Sequence, residues 1–166
     1  MDFNNEQIMT APIERVEAMY WNHEYCPRKY RELGLRDVAV ISQSKSGDDI
    51  RIACSFKMKP SIEVPKMAQK FIGGSDWLNV TQTDSWNTRT RKGRLDIVIE
   101  PMKSFTTIYA EMSLEPHPQG AANRMRWTIE CSIPLIGGTL AKFLAQDIQS
   151  KFADDCAVAN RILKDY

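Results

Sequence analysis

The C-terminal segment from Gly137 to Leu163 constrains the fold most, because its apolar residues recur at steps of three and four. That spacing places them on one face of an α-helix and leaves the charged and amide residues to the other faces. Gly137 and Gly138 are expected to break the preceding strand, and Thr139 to cap the first helical turn. The apolar face consists of Leu140, Phe143, Leu144, Ile148, Phe152, Cys156, Ala159 and Leu163.

A helix of this length needs a large apolar surface to cover, and the preceding sequence predicts a sheet. About 25 residues at 1.5 Å per residue give roughly 38 Å, close to the length of a ten-residue strand. The segment from Asp49 to Lys59 alternates apolar and polar residues without a break, as a strand with one buried face does. The same alternation marks the segments 77–89, 94–100, 105–115 and 124–133, and more weakly 3–10. The segment 35–44 is also predicted to be a strand, because it is rich in β-branched residues.

Two short helices are predicted between the first two strands. Pro12 opens the first helix, where a backbone N–H is not needed, and Cys26-Pro27 interrupts it before a second helix at 28–33. The later strands follow one another through turns, so the sheet is predicted to be antiparallel. The predicted fold class is α+β, with a curved sheet of about seven strands wrapped around the long C-terminal helix in a single domain over 1–166.

A curved sheet and a single helix leave space between them, so a cavity is expected there. The candidate ligand-binding residues are those predicted to face this space. They are Ile52, Phe56, Val80, Gln82, Asp84, Trp86, Ile97, Ile99, Met112, Leu114, Trp127, Ile129, Leu140, Phe143 and Leu144. For Trp127, packing in the core is the alternative to lining the cavity.

Gln82 and Asp84 break the apolar pattern of the inner face. They share a strand face with Val80 and Trp86, so an amide and a carboxyl are predicted to enter an apolar interior. Unpaired polar groups are costly to bury, so each needs a partner. The partner is either another group of the protein or the polar end of a ligand, unless a bulge in the strand turns both side chains outward.

The segment from Pro60 to Asp76 departs from the strand pattern. A short helix is predicted over Lys66 to Ile72, between a proline-bracketed stretch and the glycines Gly73-Gly74. It is interpreted either as a connector that covers the edge of the sheet or as a mobile lid over the cavity.

Composition excludes several classes of function. The net charge of +1 favours neither nucleic acid nor anionic membrane, and no apolar run approaches the ~20 residues of a membrane span. The N-terminus lacks a signal-peptide pattern, and the four scattered cysteines are typical of reduced thiols in a cytoplasmic protein. His23 and His117 have no spacing that predicts a metal site or a catalytic base. The basic run at 89–92 is interpreted as a solvated turn, with contact to a phosphate or an acidic partner as the alternative.

The order of elements resembles the helix-grip fold of the START-like (SRPBCC) superfamily, which includes polyketide cyclases, lipid-transfer domains and the birch-pollen allergen. Trp86, the PLIGG step at 134–138 and the C-terminal segment carry this resemblance over the whole chain, and they are most similar to a largely bacterial, uncharacterised branch. The resemblance implies a deep pocket for apolar molecules, and none of the superfamily's catalytic motifs matches residue by residue.

The sequence therefore predicts a protein that binds or carries a hydrophobic small molecule, such as a lipid, a sterol-like compound, a quinone or a polyketide. No cofactor, metal or nucleic acid is expected, and membrane contact is limited to transient pick-up of ligand. Two alternatives stay open: a cyclase- or hydrolase-like enzyme that uses Asp84 as its acid–base group, and an interaction module without a cavity.

Overall fold

Segments of alternating polarity form a seven-stranded antiparallel sheet in a computed structural model that describes residues 1–72 and 74–166. The strand order is β1-β7-β6-β5-β4-β3-β2. The strands from β2 to β7 pair in the order of the sequence, whereas β1 pairs with β7 instead of β2. The strands are β1 (Asp2–Met9), β2 (Arg36–Ser46), β3 (Asp49–Met58), β4 (Leu78–Asn87), β5 (Lys92–Ile99), β6 (Thr106–His117) and β7 (Gly120–Cys131). The helices are α1 (Ile13–Tyr20), α2 (Tyr25–Glu32), α3 (Lys66–Ile72) and α4 (Gly137–Leu163), with a 3₁₀ turn at Glu100–Met102.

This architecture is the predicted helix-grip fold, with two short helices after the first strand and a long helix at the end. α4 packs mainly on β7, on β1 and on α2. Its first turns bury Leu140, Phe143 and Leu144, and its last turns bury Ala159 and Leu163. Between them the apolar face is only half-buried, so the middle of the helix stands away from packed protein.

The expected start of α4 is wrong in one detail. Gly137 and Gly138 are not the break after the strand but the first two helical residues, and Ile136 is the N-cap residue. The chain has already turned by then, because Gly137 N–H donates to the Ile133 carbonyl at 2.9 Å. Thr139 is therefore inside the helix, and no side chain caps its N-terminus.

Two other boundaries differ in ways that affect the interior. α2 begins at Tyr25 rather than Arg28, because Pro27 is accommodated in the first turn instead of ending a helix. β7 begins at Gly120, four residues before the predicted start, so its inward face also includes Asn123. The predicted helix-ending residue Gly73 lies outside the described residues.

The basic run at 89–92 is engaged within the chain. Arg91 forms an ion pair with Glu17, and Arg89 Nε lies 3.3 Å from Asp48 Oδ2. Within the two described ranges, no helix combines the length and the apolar composition needed to cross a membrane.

Substitution of Phe143 tests the packing of α4. Phe143 is 4% exposed and does not border the cavity described below, so Phe143→Ala is expected to cost on the order of 3–5 kcal/mol. Urea denaturation measures the change, with the exposed neighbour Lys142→Ala as the control. Equal stability of the two variants would contradict the packing.

Candidate functional site

A cavity of about 710 Å³ lies between the concave face of the sheet and the middle of α4. Ile148 and Phe152 border it at the point where the apolar face of the helix is half-buried. α2 and the connection from α1 supply another wall, and residues of β2 and β3 form the outer rim. The cavity therefore occupies the space that α4 spans without filling.

The structure brings eight of the fifteen predicted ligand-binding residues to the cavity wall. These eight are Ile52, Phe56, Gln82, Asp84, Trp86, Ile97, Met112 and Trp127. The other seven do not border the cavity, because they are buried in the core, where other side chains of the protein pack against them. They are Val80, Ile99, Leu114, Ile129, Leu140, Phe143 and Leu144.

Aromatic side chains form one continuous wall of the cavity. The ring of Trp86 on β4 lies 5.6 Å from Tyr20 and 5.4 Å from Trp21, and Tyr20 stacks on Tyr25 at 5.5 Å. Gly93, the partner of Trp86 on β5, makes this position possible, because a Cβ there would lie 2.7 Å from the indole. The wall offers flat, polarisable surface to an apolar ligand.

Gln82 and Asp84 point into the cavity as the strand period predicts. The register of β4 with both neighbours is continuous, so the alternative of an outward-turning bulge is wrong. Asp84 Oδ2 accepts hydrogen bonds from Tyr30 Oη at 3.1 Å and from Gln82 Nε2 at 3.3 Å. The carboxyl thus has partners within the protein and also faces the space where a ligand would lie.

α2 places a buried cation near this carboxyl. Lys29 is 9% exposed, and its Nζ lies 3.2 Å from Asp155 Oδ1 of α4. Burial alone would lower the pKa of Lys29, but Asp155, followed by Tyr25 and Asp84, holds that pKa well above its usual range. Lys29 is therefore charged, and its charge is compensated across the cavity wall.

Burial raises the pKa of Asp84, although Lys29, Tyr30 and Gln82 act in the opposite direction. Burial also raises the pKa of Tyr20 and Tyr30, so both phenols stay neutral and serve as hydrogen-bond donors. Asp84 is therefore a carboxyl in the cavity wall whose pKa is raised by burial, a property that an acid–base role would use.

A second set of polar side chains, which the sequence did not predict, lies on the β1–β7 side of the cavity and consists of Gln7, Tyr20 and Asn123. Tyr20 Oη donates to Gln7 Oε1 at 2.9 Å, and Asn123 Nδ2 lies 3.5 Å from Tyr20 Oη. A sequence signal existed for both amides: Asn123 continues the alternation of Met125 and Trp127, and Gln7 lies two residues before Met9.

The structure also places Trp127 and the two histidines, whose roles the sequence left open. Trp127 borders the cavity and also stacks on Phe3 with the ring centroids 5.8 Å apart, so it is both a packed core residue and a cavity residue. His23 is exposed at the cavity rim, and His117 Nδ1 accepts a hydrogen bond from the Gln119 N–H. In the described part of the chain, no three His, Cys, Asp or Glu side chains come together as metal ligands.

Among the described residues of the segment 60–76, Ser61 alone borders the cavity. Asp147 of α4 is 7% exposed, and its Oδ1 accepts from the Ser61 N–H at 2.6 Å and from the Ser61 hydroxyl at 2.8 Å. Lys151 Nζ lies 2.5 Å from the other carboxylate oxygen. Further along, Ala68 and Ile72 of α3 are buried. These contacts favour the connector, with Ser61 fastened to the helix at the rim.

The sequence matches the model of one protein family, described as "Protein of unknown function (DUF2505)", over residues 4–163. No curated protein matches the sequence.

Solved structures with the same fold include TTHA0849 from Thermus thermophilus, with 15% identity, a TM-score of 0.64 and coverage of 98% of this chain and 97% of that one. The Zhui aromatase/cyclase from Streptomyces sp. R1128 has 7% identity, a TM-score of 0.63 and coverage of 99% and 93%. Ara h 8.0201 has 10% identity, a TM-score of 0.63 and coverage of 100% and 99%. Such similarity shows a START-like fold.

The proton of Asp84 links stability to pH. Because its pKa is higher in the folded protein than the unfolded value of about 4, the stabilising contribution is full below that pH. It is lost as the pH rises through the folded-state pKa. Asp84→Asn is therefore expected to gain stability over the wild type on going from about pH 4 to about pH 7, measured by urea unfolding. The exposed Asp154→Asn is the control, and parallel curves for wild type and Asp84→Asn would contradict the assignment.

Removal of the Ser61 anchor should loosen the rim. Asp147→Ala eliminates both hydrogen bonds to Ser61 and the ion pair with Lys151, so amide exchange over 60–72 is expected to accelerate at least about tenfold while β5 keeps its rates. The exposed Asp154→Ala on the same helix is the control. Unchanged exchange would show that the packing of α3 alone holds the segment. Slower exchange in wild type with an apolar ligand would indicate a lid, and equal exchange a connector.

Proposed function

The chain belongs to the DUF2505 family, and from the geometry of its cavity we propose that it binds a hydrophobic small molecule between the sheet and the long helix. The observation that carries the proposal is a cavity of about 710 Å³ with an aromatic wall and a mostly apolar surface, into which polar groups such as Gln82 and Asp84 point. Ligand sites typically have volumes of ~300–1,000 Å³ and combine apolar walls with a small number of placed polar groups. The narrower likeness to a bacterial branch of the superfamily remains a prediction.

Burial of apolar surface would supply the affinity. Each buried CH₂ contributes about 0.8 kcal/mol, so a modest ring system or acyl chain reaches micromolar affinity after the cost of association. The proposed ligand classes are a lipid, a sterol-like compound, a quinone or a polyketide. Transient contact with a membrane would serve for pick-up of such a ligand.

Asp84 favours a second candidate function, that of an enzyme with a cyclase- or hydrolase-like reaction. Its raised pKa and its hydrogen bond from Tyr30 are properties of a general acid or base. Turnover of a bound ligand that disappears in Asp84→Asn would distinguish catalysis from binding. The cavity volume weighs against the third alternative, an interaction module without a cavity.

Native mass spectrometry of the purified protein, followed by extraction into organic solvent, identifies the ligand directly. A mass adduct that appears in the extract as an apolar compound is expected. A protein that has only its sequence mass, and binds no compound of the four classes, would overturn the proposal.

A matched pair of substitutions on β5 tests the position of the ligand. Ile97 borders the cavity, whereas Val98 faces outward and is 39% exposed. Ile97→Trp is expected to weaken binding of the fluorescent probe 1-aminoanthracene at least about tenfold, because the indole occupies ligand volume. Val98→Trp is expected to bind as wild type. Equal affinity of both variants would exclude this cavity as the binding site.

A further inference from the structure

Gln7 and Asn123 are two buried amides that lie directly opposite each other on β1 and β7. Gln7 is 4% exposed and Asn123 3%, and both border the cavity. Opposed residues of an antiparallel pair have Cβ atoms about 5 Å apart, so one small group can reach both side chains.

Tyr20 uses half of the hydrogen-bonding capacity of this pair. Its hydroxyl donates to Gln7 Oε1 and lies 3.5 Å from Asn123 Nδ2. Gln7 Nε2 and Asn123 Oδ1 are both buried and have no hydrogen-bond partner among the described residues. A buried polar atom without a partner costs about 1–3 kcal/mol, so the pair is a place where a polar group gains from binding.

The pattern of unpartnered atoms in the pair does not depend on how the two amides are oriented. If both amides are rotated by half a turn, Gln7 donates to Tyr20 and Tyr20 donates to Asn123. The free atoms are then an oxygen on Gln7 and an N–H group on Asn123. In either orientation the pair presents one donor and one acceptor side by side.

One donor beside one acceptor selects the chemistry of its partner. A hydroxyl group matches it, because the oxygen accepts from the free N–H and the hydrogen is donated to the free carbonyl oxygen. A carboxylate does not match, because it has only acceptors and would place one against the free amide oxygen. The nearby cation Lys29 cannot compensate for that charge, since it is already paired with Asp155 at 3.2 Å.

We propose that the Gln7–Asn123 pair binds a hydroxyl group of the ligand, so that the cavity selects neutral, hydroxyl-bearing apolar molecules over the corresponding acids. This inference rests on the proposed function and adds the substrate class. The hydroxyl is anchored on the β1–β7 side, and the apolar body lies along the aromatic wall of Tyr20, Trp21 and Trp86.

Three probes of one ring system test the selection. 1-Methylpyrene, 1-pyrenemethanol and 1-pyrenecarboxylate are titrated against wild type, and pyrene fluorescence gives each dissociation constant. The alcohol is expected to bind about tenfold more tightly than the methyl compound, and the carboxylate more weakly than the alcohol. In Asn123→Leu the preference for the alcohol is expected to disappear while affinity for 1-methylpyrene is kept.

Gln82→Leu is the matched control, because it removes a cavity amide on β4, outside the Gln7–Asn123 pair, and should keep the preference. Gln7→Met repeats the test at the partner residue should Asn123→Leu fail to fold, as judged by circular dichroism. Loss of the preference in Gln82→Leu instead, no preference in wild type, or tighter binding of the carboxylate would each overturn the inference. Failure of wild type to bind any of the three probes would count against the proposed function itself.

Discussion

The contact between α4 and the β1–β7 side of the sheet determines the rest of the architecture. The two ends of the helix are packed, and its middle is held across a gap. Leu140 and Leu144 at one end and Ile162 at the other are almost fully buried, whereas Ile148 and Phe152 border the cavity. One amphipathic face therefore belongs to the core at its ends and forms part of the cavity wall between them.

Two separate sets of hydrogen-bonded polar side chains lie in the wall of the cavity. Asp84, with Tyr30 and Gln82, lies on β4 and α2, and the Gln7–Asn123 pair lies on β1 and β7. The first set contains a carboxyl whose pKa is raised by burial, while the second consists of two amides held by Tyr20. Burial of either set reduces stability unless its groups are paired, and proteins most often accept such costs where function requires them.

Period-two alternation was sufficient to predict the sheet and the inward direction of Gln82 and Asp84. The spacing of three and four residues was sufficient to predict the long helix. Both predictions succeed because each pattern is a local repeat in the sequence. Alternation was insufficient for Gln7 and Asn123, because the pattern of β1 is weak and the predicted β7 began four residues too late. Lys29 and Tyr30 were missed as cavity residues since they come from a helix, and their direction depends on how α2 sits on the sheet. The boundary between core and cavity likewise depends on tertiary packing, which a local pattern does not contain. Ile97 borders the cavity, whereas Ile99, on the same face of β5, does not.

The sheet register separates ligand anchoring from proton chemistry. Trp127, Leu95 and Asp84 lie in one row across β7, β6, β5 and β4, which spans three strand spacings, or about 14 Å. Asn123 lies four residues before Trp127 on the same face of β7, so the path along the sheet from the Gln7–Asn123 pair to Asp84 is longer still. A ligand whose hydroxyl is held by the amide pair presents a different part of its body to Asp84. Catalysis at Asp84 would then act on an atom remote from the anchoring hydroxyl, whereas simple carriage requires only the anchor and the aromatic wall.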